Sequence, residues 1–162
     1  MVIQWRKGRD GPPTLTCVRP DGTRTWRKVH PFFAVHDLAH CSVESVFGFT
    51  QAFFGLIASG WSIEEFEHRG AAGRLPDEAL WAEHMVGLLD VERATGHLMS
   101  AAEFGAALAA ALEAEGRGLF RPVTERELAR VRGLIADLQS QWQRVPLGQT
   151  LELRFPISAA AA

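Results

Sequence analysis

Apolar and polar residues alternate with a period of two over parts of the first thirty positions, and the period becomes helical from residue 31. Val2-Ile3-Gln4-Trp5 is a short β-prone run, ended by the loop Lys7-Gly8-Arg9-Asp10-Gly11-Pro12-Pro13. Thr14 to Arg19 alternates and is rich in β-branched residues, as a half-buried strand requires. Pro20-Asp21-Gly22-Thr23 is a turn, because proline presets φ, aspartate bonds locally and glycine takes the positive-φ position. Thr25 to Val29 returns, so 14–29 reads as a hairpin with 2–5 as a third strand beside it. The arginines of these strands are expected to point to water, opposite Leu15, Cys17 and Trp26 or their neighbours.

From Pro31, the residues Val35, Leu38, Ala39, Val43, Val46 and Phe47 form a helical apolar stripe that stops at Gly48. Ala52 to Ala58 is a short buried helix ending at Gly60. Ser62 and Glu65 open one or two turns with a capping-box pattern, and Gly70-Ala71-Ala72-Gly73 is a loop. A long helix opens at Asp77 and runs to Gly96. Ser100 with Glu103 caps a helix ending near Gly116, and Thr124 with Glu127 caps one ending near Gln143. Leu151, Leu153 and Phe155 alternate with Glu152 and Arg154 in a final strand, and 159–162 is a low-complexity tail. Strands at both ends of a helical middle predict one α+β domain over 1–162. Its parts are a basic strand region (1–30), a helical region (31–145) and a closing strand (149–156). The architecture expected is a small antiparallel sheet of N-terminal strands plus the C-terminal strand, packed with a bundle of about five helices.

Composition supports a packed core, with 47% hydrophobic and 22% charged residues among 162. No run of apolar residues is long enough to span a membrane. Two cysteines, Cys17 and Cys41, make no disulfide framework, and the start carries no signal-peptide pattern, so a cytoplasmic location is expected. The net charge of −2 divides unevenly: residues 1–30 carry +5 and residues 31–162 carry −7. A basic hairpin admits nucleic-acid binding as an alternative function, but a solvated strand face explains the same charge more simply. The five tryptophans are expected to pack the core rather than stack bases. The alanine-rich segment 101–114 permits close helix packing or a homo-oligomer.

The motif that carries chemistry is His36-Asp37-Leu38-Ala39-His40-Cys41-Ser42-Val43-Glu44. At 3.6 residues per turn, His36, His40 and Glu44 fall within about 80° of one another, on one narrow face. Histidines at i and i+4 are the spacing by which one helix presents two imidazoles to one zinc ion. Asp37 follows the first histidine, where metalloproteases with H-E-x-x-H place a general base, although aspartate is one methylene shorter. His36 and Glu44 are separated by about 12 Å of helix rise, too far for a straight helix to bring both onto one ion. Glu44 is better placed behind His40, fixing its tautomer. A further ligand is then required, and His30, Glu64, Glu65, His68, Glu83, His84, Glu92 and His97 are chemically able. Of these, His84 lies on the helix with Glu83 and Glu92, which could meet the motif across a helix pair. Burying four polar groups needs a partner: either a cation or an internal network with the arginines. Cys41 is turned about 100° from His40, which disfavours a Cys–His dyad.

H-D-L-A-H resembles the H-D-x-x-H zinc motif of the coenzyme Q biosynthesis proteins of the Coq-four type. That family carries a glutamate twelve residues after the second histidine; the position here is Ala52, so that ligand does not transfer. The longer run through Val43 and Glu44, followed by Gly48-Phe49 and Phe53 to Gly60, looks like a group of uncharacterised bacterial proteins, and implies a shared site. The expectation is a zinc site at His36 and His40 with Asp37 and Glu44 moving protons, possessed by a hydrolase or lyase of a small molecule. The alternative is a non-catalytic interaction module whose His/Asp/Glu network is structural.

Overall fold

A computed structural model describes residues 1–66, 75–118 and 121–156, with the side chains of 31–33 left aside. The predicted loop at 70–73 and the tail at 159–162 lie outside the described residues. Four antiparallel strands, β1 (Val2–Arg6), β2 (Thr14–Val18), β3 (Arg24–Lys28) and β4 (Thr150–Arg154), form one sheet in the order β3-β2-β1-β4. The hairpin turn forms as its residues require, with Gly22 at φ 85° and Asp21 Oδ1 accepting from the Thr23 N–H. The final strand joins the first, with Val2 opposite Arg154 and Arg6 opposite Thr150.

Five helices follow the predicted breaks: α1 (Pro31–Phe47), α2 (Phe53–Ala58), α3 (Asp77–Thr95), α4 (Ala101–Ala114) and α5 (Glu125–Arg144). Ile63–Phe66 makes a single 3-10 turn. Of the three capping patterns, Ser100 with Glu103 and Thr124 with Glu127 form complete boxes, and at Ser62 the Glu65 carboxylate accepts from the Ser62 N–H. Gly96 ends α3 in the left-handed conformation that a side chain disfavours. No helix among the described residues is long and apolar enough to cross a membrane.

The core is in two parts with α1 between them. Ile3, Trp5, Leu15, Cys17 and Leu151 of the sheet pack on Leu38 and Cys41 of α1, Phe54 and Ile57 of α2, and Leu138 and Trp142 of α5. On the opposite side, Ala39 and Val43 of α1 meet α3, α4 and the first half of α5 through Met85, Val86, Phe104, Leu108 and Leu128. An α1 with apolar residues on both sides has room for only a narrow polar stripe, and the motif residues occupy it.

One face assignment is corrected. Trp26 is 54% exposed, and Arg27 instead points inward. The register explains the exchange: Thr25 is opposite Cys17 and Arg27 opposite Leu15 on the core face, so Trp26, opposite Thr16, falls outside. Several basic residues of the strand region are likewise structural. Lys7 Nζ donates to the carbonyls of Trp142, Gln143 and Val145 at the end of α5, and Arg19 donates to those of Ile57 in the last turn of α2 and Trp61 just beyond it. Cations at helix C-termini complement the exposed carbonyls and the helix dipole.

Candidate metal centre

The site is built where α1 and α3 meet beside the end of β3. His36 and His40, one turn apart on α1, bring their Nε2 atoms to 3.2 Å. Glu83 of α3 reaches the same point, its Oε2 lying 3.1 Å from His40 Nε2 and its Oε1 4.0 Å from His36 Nε2. One ligand atom from each of the three residues falls within 4.8 Å of the others, so the group is able to hold a metal ion. Tetrahedral ligands about 2.0–2.1 Å from a zinc ion stand about 3.3 Å apart, close to two of these three separations.

The far side of each imidazole faces a carboxylate. His36 Nδ1 lies 3.5 Å from Asp90 Oδ2, and Asp90 is itself held by the Arg93 guanidinium through its other oxygen. His40 Nδ1 lies 3.7 Å from Glu44 Oε1 and makes no hydrogen bond. Carboxylates behind both Nδ1 atoms favour the tautomers that place protons there and direct the Nε2 lone pairs at the shared point. Hydrogen bonds from backbone N–H groups anchor Glu44 in turn. Phe54 N donates to its Oε2 at 2.9 Å and Gly55 N at 3.1 Å, so a carboxylate from α1 caps α2. Gly55 is required at that corner, because a Cβ there would collide with the Thr50 backbone.

Burial opposes a charge on His40, and the Glu44 and Glu83 carboxylates outweigh it, raising the imidazole to about 9. Glu83 is held below the usual carboxylate range by its hydrogen bond to His40. Burial pushes Glu44 and Asp37 up, against the pull of His40 on the first and of Arg27 on the second. The local field thus favours positive charge at the Nε2 side of His40. Both thiols are inert at neutral pH, since burial pushes Cys17 and Cys41 up to about 12.

A cavity of about 600 Å³ opens beside the group. His36, Asp37, His40 and Glu83 form part of its wall, Arg27, Lys28 and His30 another, and Phe53, Phe66 and Leu80 much of the rest. Asp37 is buried and ion-paired with Arg27 at 3.2 Å, and the guanidinium lies 5.7 Å over the Phe53 ring. This is the internal network with an arginine that the sequence offered as one partner for the buried polarity.

The structure therefore joins His36 and His40 to Glu83 and places Asp37 and Glu44 outside the converging donors, one on Arg27 and the other behind His40. Of the remaining candidates, His30 lines the cavity, Glu65 accepts from Ser62 N, His84 faces Glu115 and Glu92 pairs with Arg132. His68 lies outside the described residues. Glu83 and His84 are neighbours in sequence, but about 100° of helix rotation turns the second away from α1. Asp90 was missed. Its signal is the seven-residue spacing from Glu83, which puts two acids on one face of α3, opposite two histidines one turn apart on α1. No protein-family model, curated protein or solved structure matches this chain, so the chemistry of the centre is read from its geometry.

Proposed function

We propose that His36, His40 and Glu83 hold a zinc ion and that the protein is a metal-dependent hydrolase, or a related lyase, of a small molecule. The observation that carries this is the convergence of two imidazole Nε2 atoms and a carboxylate on one point in the wall of a cavity. Two histidines and one acid are a three-ligand set, and catalytic zinc sites keep the fourth position for water or substrate. An ion held by His36, His40 and Glu83 would supply a Lewis acid for a substrate oxygen and would lower the pKa of a water in its open position. Glu44 acts through His40, holding its ring, and Asp37 acts through Arg27, fixing the guanidinium on the cavity wall. The resemblance of H-D-L-A-H to a zinc motif agrees with the metal, while the third donor comes from α3 rather than from position 52.

Elemental analysis of protein purified without added metal tests the reading. About one equivalent of zinc is expected; less than about 0.1 equivalent, with no binding on titration, overturns it. The Arg27–Asp37 pair and the His40–Glu83 hydrogen bond favour a second reading, a structural network in a non-catalytic interaction module. In that case His36→Ala and His40→Ala lower stability equally with and without added zinc, whereas a bound ion makes the loss depend on zinc.

A further inference from the structure

We propose that the cavity beside His36, His40 and Glu83 takes a small anion with an apolar body, a carboxylate or a phosphate ester, as its substrate. This rests on the metal reading and adds the class of molecule. The charges on the described wall are two positive, Arg27 and Lys28, and two negative, Asp37 and Glu83. They cancel once zinc has displaced the imidazole protons, and behind the imidazoles Arg93 answers the Asp90 charge, so with the single Glu44 carboxylate counted a divalent ion still leaves the chamber net positive. A cationic ligand is then repelled and an anionic one attracted, and a wall of low dielectric strengthens both effects.

The arrangement of those charges gives the anion a place. Asp37 is matched by Arg27 at 3.2 Å, and Glu83 is engaged by the imidazole of His40. Lys28 is exposed at the end of β3, lines the cavity and forms no ion pair among the described residues. The opposite requirement, an apolar body, comes from Phe53, Phe66 and Leu80, with the two phenyl rings packed 4.8 Å apart between centroids. Such a surface offers a sugar or another polyol few hydrogen-bond partners. A volume of about 600 Å³ is suited to a ligand with a ring or short chain rather than to a bare ion.

Calorimetric titration of the full chain separates the possibilities, with phenylbutyrate, phenyl phosphate, phenylbutanamide and acetate as probes. The titrations use zinc-loaded and EDTA-stripped protein, with Lys28→Met as the variant because its side chain is exposed at a strand end. In the zinc-loaded protein, phenylbutyrate or phenyl phosphate is expected to bind at least about tenfold tighter than the isosteric amide. Whichever of the two binds tighter identifies the anion. Acetate is expected to bind more weakly than phenylbutyrate, and Lys28→Met to reduce the anion preference to less than about threefold with zinc stoichiometry unchanged. Zinc at one equivalent with acid and amide bound alike, with acetate matching phenylbutyrate, or with no probe bound overturns the substrate class and leaves the metal standing. No zinc uptake, with an anion preference that still depends on Lys28, overturns the metal and leaves the anion pocket standing. No zinc uptake and no preference overturn both.

Discussion

Two of the acids of helix α3, Glu92 and Glu83, are drawn to basic partners on other helices and are built to opposite ends. Glu92 is buried at 3% exposure, and Arg132 of α5 grips both of its oxygens. The Met99 N–H donates to the same carboxylate, and the Met99 carbonyl accepts from the same guanidinium. Both Glu92 oxygens are met by the guanidinium, and one of them also by the Met99 N–H, so the carboxylate is closed on itself. Nine residues earlier, the Glu83 side chain is 62% exposed and faces two imidazoles whose Nε2 atoms face each other. Two such nitrogens can share only one proton, so the group carries more lone pairs than protons. Buried charge therefore does not identify a functional site; an excess of acceptors converging on one point beside a cavity does.

The contrast is broken most severely at the closed pair. Arg132→Ala leaves Glu92 buried without its cation and is expected to cost about 3–5 kcal/mol of stability, read from the urea midpoint, with zinc uptake unchanged. Next comes Glu44→Ala, which takes the carboxylate from the α2 backbone and from His40. A loss of about 2–3 kcal/mol is expected, together with a 10–100-fold loss of zinc affinity, and zinc titration reads the second effect independently of the first. Glu83→Gln is the inverse case: with its carboxylate 62% exposed and only the His40 side buried, the pair contributes about 1–2 kcal/mol to folding, while zinc stoichiometry falls. If Glu83→Gln destabilised the apo protein as much as Arg132→Ala, the two acids would be alike and the distinction would fail.

A third carboxylate, of the closed kind, gives an effect that leaves zinc binding untouched and bears on stability alone. Hydrogen bonds from Arg121 hold Glu127 down at about 2, against its partial burial and with help from Thr124. A carboxyl group with a folded pKa below its unfolded value stabilises the fold above the unfolded pKa, and the contribution is lost as pH falls through the folded one. The stability difference between the wild-type protein and Glu127→Gln should therefore be constant above about pH 5 and shrink steadily towards pH 2, as thermal melts across that range would show. At the plateau it should amount to about 1 kcal/mol, the usual worth of a helix cap.

The order and type of the elements were legible because their signals are local. Each long helix announces itself by a cap or a break: Ser100 with Glu103, Thr124 with Glu127, and Gly48 and Gly96 as stops. The four-strand antiparallel sheet followed from alternation at both ends of the chain. Within the site, the i and i+4 spacing was enough to put His36 and His40 on one face. What failed needed knowledge of partners. A residue-wise alternation does not say which face of β3 the core will take, and the wide apolar ring of Trp26 suggested the inside. The core side was decided by register against Leu15 and Cys17, which obliged Arg27 to lie inward and find Asp37. In the same way the choice of Glu83 over His84, and the part played by Asp90, depend on how α3 is rotated against α1. That rotation is set by the packing of Ala82, Met85, Val86 and Leu89, residues that carry no chemistry themselves.

The pairing of β1 with β4 has a consequence for how the chain is made. During vectorial synthesis the hairpin and β1 emerge first and can zip together at once, since Val2 to Arg6 and Thr14 to Val18 are near neighbours. The other edge of β1 has to wait for Thr150 to Arg154, which follow all five helices in the chain. Through that interval a strand destined for the middle of the sheet stands as an open edge, able to recruit any extended segment within reach. Closing so long a loop is slow compared with winding helices, so the sheet is finished after the helices that pack on it have had time to form. Loss of the final strand would thus return the protein to its most adhesive moment.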